Sequence, residues 1–260
     1  MENKTLTDYI LLGRTGLRVS PLCLGTMTFG TEWGWGCAED SARQILDRYL
    51  DAGGNFIDTA EMYTNGRSEE MLGHFLKESG KRDRVVLATK FAFNTVPGDP
   101  NAGGNGRKNI MRAVEGSLKR LQTDYIDVYW LHAYDMLTPA EEVMSTLDSL
   151  VQAGKIRHIG MSNVPAWYAA RSQTLAQWRG WERVCAMQME YSLVERDIER
   201  EHIPEARHLG MGICAWSPLA GGFLTGKYHR SGEGLDGEPG RIKTMQDTGN
   251  QFCPKFTDRD

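Results

Sequence analysis

The chain has 260 residues and 29.2 kDa, enough to bury one large core in a single domain spanning 1–260. Hydrophobic residues make up 40% and charged residues 25%, an ordinary soluble balance, and a net charge of -4 with a pI near 5.9 argues against a nucleic-acid partner. No apolar run approaches the ~18 residues that cross a bilayer, and the polar segment Met1 to Tyr9 lacks the apolar core of a signal peptide. Five scattered cysteines (Cys23, Cys37, Cys185, Cys214, Cys253) contain no Cys-x-x-Cys pair, so neither a disulfide framework nor a metal site is expected. The expected compartment is the cytoplasm.

In chain order, Ile10-Leu11-Leu12, a turn at Gly13 to Gly16 and Leu17-Arg18-Val19 predict a small β-hairpin ahead of the main fold. Seven strands are then predicted: Leu22 to Gly25, Asn55 to Thr59, Val85 to Lys90, Ile126 to His132, Ile156 to Met161, Val184 to Met189 and Gly212 to Trp216. Several are apolar almost throughout, as parallel strands buried on both faces are. Helical periods separate them. Ala42, Ile45, Leu46, Tyr49 and Leu50 predict one buried helix face, and Ile110, Val114, Leu118 and Leu121 predict another. Thr138-Pro139-Ala140-Glu141 reads as a capping box opening a helix that closes at Gly154. A weaker helix is predicted from Ala166 to Trp178, and a short one from Pro204 to Leu209 stops at Gly210.

This alternation fits either a (β/α)8 barrel or a doubly wound sheet. The first strand is followed by Gly25-Thr26-Met27-Thr28-Phe29-Gly30, which is no G-x-G-x-x-G turn, and polar residues stand at most strand ends. Both points favour the TIM barrel, whose active site lies at the C-terminal face of its strands. After Trp216 the sequence predicts a glycine-rich loop, Ser231 to Gly240, then a polar tail to Asp260. The last strand and helices of the barrel are not recognisable, so the expectation is a C-terminally shortened barrel with two unpaired strand edges.

Four residues at the predicted strand ends carry the chemistry: Asp58, Tyr63, Lys90 and His132. A phenol holds its proton at neutral pH, with an ordinary pKa near ~10. A lysine ammonium ~4 Å away attracts the phenolate by ~4 kcal/mol at an effective dielectric of ~20. An aspartate beside the lysine keeps the amine charged and in place. A neutral His132 can hydrogen-bond a substrate carbonyl and orient it. Taken singly, each residue has a structural reading: a packed tyrosine, a solvated lysine, a loop-capping aspartate, a rim histidine. Lys90 also fits a Schiff-base lysine. Three successive strand ends converging on one set favour a proton-donating unit.

The sequence resembles the aldo-keto reductases from about Leu11 to Tyr228. The likeness rests on Asn55-Phe56-Ile57-Asp58-Thr59-Ala60-Glu61-Met62-Tyr63, Gly66-Arg67-Ser68-Glu69 and Thr89-Lys90. It continues through Asp124 to His132, Gly154 to Asn163, and Trp216-Ser217-Pro218-Leu219-Ala220-Gly221-Gly222. The resemblance implies an NADPH-dependent carbonyl reductase, with NADH possible, acting on a small-molecule carbonyl. It implies Tyr63 as general acid, Lys90 and Asp58 as its tuning pair, and His132 as the carbonyl-orienting group. Ser162, Asn163 and Gln188 match positions that hold the nicotinamide carboxamide, and Trp216 matches the aromatic stacked on its ring. Ser217, Pro218, Leu219 and Gly221, with Lys227, match the stretch around the pyrophosphate, and Arg241 matches a cofactor-loop arginine. Thr26 and Met27 match the turn approaching the ribose and nicotinamide. Trp33 and Trp35, in the loop after the first strand, suggest an apolar or ring-shaped substrate. The segment Asn94 to Arg107 is either a lid or an insertion. Two alternatives remain at this level: a nicotinamide-sensing protein resembling the potassium-channel β subunits, against which His132 argues, and an inactive truncated product.

Overall fold

The computed structural model describes residues 5–231, 234–237, 240–242 and 244. A two-stranded hairpin, β1 (Ile10–Leu11) and β2 (Arg18–Val19), pairs Ile10 with Val19. Seven parallel strands follow in sequential order: β3 (Leu24–Gly25), β4 (Phe56–Asp58), β5 (Val86–Phe91), β6 (Ile126–Leu131), β7 (Ile156–Ser162), β8 (Val184–Glu190) and β9 (Gly212–Trp216). Helices α1 (Glu39–Asp51), α2 (Arg67–Ser79), α3 (Arg107–Leu121), α4 (Ala140–Gln152), α5 (Ala166–Arg179) and α6 (His202–Leu209) connect successive strands. This is the strand–helix order of a (β/α)8 barrel preceded by a hairpin, and among the described residues no strand links β3 to β9.

Parallel register sorts every strand into two faces. Asp58 pairs Ala88, Lys90 pairs Trp130, Trp130 pairs Gly160, Ser162 pairs Gln188, and Glu190 pairs Trp216. Because side chains alternate with a period of two, these residues share the inner face. Its lower part is apolar: Phe56, Val86, Ala88, Val128, Trp130, Cys185 and Ala186 pack with Leu12 and Val19 of the hairpin, which closes that end. The opposite parity, including Ile57, Leu87, Phe91, Tyr129, Leu131, Ile159, Met161 and Met187, packs beneath the helices. Gly160 is required where it stands, because a Cβ there would lie 2.0 Å from the Trp130 ring. Trp130 thus fills the floor under the polar upper layer.

The structure departs from the sequence reading in three places. Ile45 is 43% exposed, since α1 presents Ala42 and Leu46 inward and leaves Ile45 on a surface groove beside Leu6 and Arg48. The capping box at Thr138 does not form: the Thr138 hydroxyl donates to Asp135 Oδ2 at 2.6 Å, and Pro139 stands at the N-cap without a side-chain bond. The predicted loop Ser231 to Gly240 is partly a hairpin, β10 (Tyr228–Ser231) against β11 (Gly234–Gly237). Its strands hold by backbone pairing and lack the apolar alternation that marks a strand in sequence. The predicted polar tail lies outside the described residues. Gly154 and Gly210 do adopt left-handed φ, 72° and 75°, and end their helices as expected.

Candidate active site

Lys90 is the centre of the polar layer. Its side chain is fully buried, and its ammonium donates to Asp58 Oδ2, to the Thr59 carbonyl at 2.8 Å and to the Tyr63 hydroxyl at 3.3 Å. All three donors of the amine are thereby satisfied inside the protein. Burial pulls Lys90 down, but Asp58 and Tyr63 outweigh it and hold the amine above its ordinary pKa, so it stays charged. Burial pushes Tyr63 up; the Lys90 charge opposes that push without cancelling it, and Asp58 adds to it. A neighbouring ammonium alone predicts a more acidic phenol; the net shift runs the other way because desolvation wins. Tyr63 therefore keeps its proton at neutral pH.

Local backbone geometry aims Tyr63. The three residues after it, Thr64 (φ 46°), Asn65 (φ 58°) and Gly66 (φ 92°), are all left-handed, which folds the chain sharply before α2 begins at Arg67. Thr64 Oγ1 pins this turn by donating to the Phe29 carbonyl at 2.7 Å and accepting the Ser68 amide at 3.1 Å. Ser68 Oγ donates to the Thr26 carbonyl at 2.8 Å and lies 2.9 Å from Thr59 Oγ1. Thr26 is itself committed, with its hydroxyl donating to the Asp58 carbonyl at 3.0 Å. The Gly66-Arg67-Ser68-Glu69 motif thus buttresses the tetrad from behind.

His132 closes the set. Its ring stands edge-on to Tyr63, with centroids 5.8 Å apart, and edge-on to Phe93 at 4.8 Å. Its backbone amide donates to the Phe91 carbonyl at 2.9 Å. Burial and the Lys90 charge hold it well below the usual histidine range, so the imidazole is neutral. Its Nδ1 is buried without a partner among the described residues. Trp33 packs edge-on to Tyr63 at 6.4 Å and against Trp35 at 5.6 Å, so Trp33 and Phe93 give the tetrad two aromatic walls. Phe93 was not singled out from sequence; its signal was only an aromatic three positions past a strand-end lysine.

A second cluster lies on β7, β8 and β9. Asn163, with φ 50°, accepts the Trp216 indole N–H on Oδ1 at 3.1 Å. It donates from Nδ2 to the His132 carbonyl and to Ser162 Oγ, each at 3.0 Å. Its amide donates to the Gln188 carbonyl at 3.3 Å, and the Ser162 and Gln188 side chains are buried beside each other in register. Beyond Trp216 the backbone is left-handed at Ser217 (φ 51°), Ala220 (φ 49°), Gly221 (φ 66°) and Gly222 (φ 102°). Such turns direct amide groups into anion-binding concavities. Pro218 and Leu219 are exposed on this turn, and Lys227 Nζ lies 3.5 Å from the position a Cβ on Gly222 would take. Arg241 sets its guanidinium over the Trp35 ring at 5.0 Å and reaches Met27 Sδ at 3.7 Å. The chemistry of the donor set fits a nicotinamide dinucleotide: amide and hydroxyl groups for a carboxamide, a fixed indole for a ring, and a glycine turn with lysine for phosphates.

The sequence model of the Aldo/keto reductase family matches residues 21–254. The chain belongs to that family. It is 44% identical over 237 residues to an uncharacterized oxidoreductase, YrpG, of Bacillus subtilis, covering 87% of this chain and 71% of that protein. It is 41% identical over 221 residues to norsolorinic acid reductase stcV of Emericella nidulans, covering 82% of this chain and 57% of the relative. An aryl-alcohol dehydrogenase [NADP(+)] of Phanerodontia chrysosporium is 36% identical over 238 residues, covering 87% of this chain and 62% of the relative. The chain spans little more than half the length of the stcV relative.

Proposed function

We propose that the site reduces an aldehyde or ketone with NADPH, Tyr63 giving the proton to the carbonyl oxygen. The observation that carries this reading is the Lys90 ammonium shared among Asp58, the Thr59 carbonyl and the Tyr63 hydroxyl. Tyr63 accepts a hydrogen bond from Lys90, which leaves its own hydrogen free for a substrate oxygen. As that proton leaves, the fixed ammonium balances the charge that develops on the phenol, with no reorganisation of solvent. The neutral His132 imidazole beside it holds the carbonyl toward Tyr63. Ser162, Asn163, Gln188 and Trp216 would hold a nicotinamide, and the Ser217 to Gly221 turn with Lys227 its phosphates. When bound, the reduced nicotinamide supplies the hydride. Trp33 and Phe93 exclude water and favour a ring-bearing carbonyl, in keeping with the names of the aryl-alcohol and norsolorinic acid relatives.

Tyr63→Phe tests the reading. Reduction of aromatic aldehydes should fall by ~10²–10⁴ in kcat, while NADPH still quenches tryptophan fluorescence with a Kd within about twofold of the parent. Undiminished reduction by that variant sinks the proposal, and the same titration with NADH reads the cofactor preference.

A further inference from the structure

We infer that Glu61 is a positioning residue whose carboxyl oxygen takes over the last rung of the β4–β5 ladder and so sets where Tyr63 and Phe93 stand. This inference rests on the reductase reading for its kinetic consequence and on main-chain geometry for its structural one.

Above β4 the parallel ladder continues past the strand itself. The Thr59 amide donates to the Ala88 carbonyl at 2.9 Å, and the Glu61 amide donates to the Lys90 carbonyl at 3.2 Å. In a regular parallel pair the next bond would run from the Ala92 amide to the Glu61 carbonyl. Instead the Ala92 amide donates to Glu61 Oε1 at 3.2 Å. The side chain substitutes for its own main chain, which is released to turn toward Tyr63 and the left-handed run at Thr64, Asn65 and Gly66.

Ala92 needs that acceptor. Its φ of 141° is unusual for an alanine, and its carbonyl accepts the Gly104 amide at 2.6 Å. The amide is the remaining fastening that holds this residue, and Phe93 follows it directly onto the edge of His132. One carboxyl thus joins the segment carrying Tyr63 to the segment carrying Lys90 and Phe93. Glu61 is 3% exposed, and among the described residues it has no ion-pair partner within 4.0 Å. The charged groups that act on it are Glu69 of α2 and Arg112 and Arg120 of α3, and it acts in turn on the buried Tyr129 hydroxyl of β6. Arg120 is already engaged by Glu69 at 2.6 Å. The carboxyl therefore serves as a hydrogen-bond acceptor, a role an amide oxygen fills equally well.

The experiment compares Glu61→Gln with Glu61→Met, using NADPH with an aromatic aldehyde and amide hydrogen exchange at Ala92. Glu61→Gln should keep kcat within about twofold and keep Ala92 protected. Glu61→Met should lose on the order of 10- to 100-fold in kcat, leave KM for NADPH nearly unchanged, and lose Ala92 protection. Parent-like kcat in Glu61→Met, or a Glu61→Gln variant as impaired as Glu61→Met, overturns the inference. Should Glu61→Met not fold, exchange on the parent decides: an Ala92 amide that exchanges as fast as an open loop overturns it, and a protected one supports it. A parent that reduces no carbonyl would remove the reductase reading, while the exchange comparison would still report on the rung.

Discussion

Trp216 and Asn163 hold each other: the indole N–H donates to the Asn163 amide oxygen at 3.1 Å, while the same amide donates to the His132 carbonyl. The aromatic surface proposed for the nicotinamide is therefore fastened to the strand end that carries His132. One asparagine spans both halves of the site.

Trp216→Phe keeps an aromatic face and loses the donor, so NADPH affinity should fall by about fivefold, the cost of ~1 kcal/mol. Asn163→Ala should fall further, because it releases Trp216 and the His132 carbonyl together. The double variant should then cost less than the sum of the two, since they share one bond. Fluorescence titration with NADPH on the four proteins reads this, and strict additivity would contradict the coupling.

Lys90→Met strands the Asp58 carboxylate in a buried layer. A stability loss of about 3–5 kcal/mol is expected from leaving one partner of a buried pair uncompensated. Adding Asp58→Asn removes the stranded charge and should recover most of the melting temperature. Turnover should not return, because the Tyr63 hydroxyl still lacks its ammonium. Recovery of both together would show that the ion pair serves folding alone.

Glu61 makes stability depend on pH. Burial, foremost, raises its pKa from 4.5 to about 7 in the folded protein. Folding therefore favours the protonated carboxyl. The resulting stability is fully present below about pH 4.5 and is lost as pH rises toward 7. The loss amounts to at most ~3 kcal/mol by linkage. Glu61→Gln carries no such titration, so it should be more stable than the parent at pH 8 and nearly equal at pH 4.5. Denaturant unfolding at the two pH values measures the crossing, and a constant difference between the proteins would refute it.

The strands and the tetrad were legible because both leave local marks: near-continuous apolar runs, and polar residues stationed where those runs end. The cluster of Ser162, Asn163, Gln188 and Trp216 was marked only by resemblance of short motifs. What sequence could not reveal depended on where a ladder stops or which of two acceptors wins. Glu61 sits inside the quoted Asp58 to Tyr63 motif, yet its task follows only from the Ala92 amide lacking a main-chain acceptor. Thr138 has the spacing of a cap but is taken by Asp135. Tyr63 is less acidic than a charge count suggests, because burial is a property of the assembled barrel. The packing of Arg241 on Trp35 is a long-range contact with no local signature.

The small hairpin at the foot of the sheet has a temporal meaning. It lies against both flanks of the arc: Ser20 meets Asn55 just before β4, while the Arg14 amide donates to the Gly210 carbonyl just before β9. Residues synthesised early are thus locked to residues synthesised late, and this docking must wait until β9 has emerged. Sealing the interior beneath Trp130 is therefore a contact of long sequence separation, the kind whose loop-closure entropy slows folding.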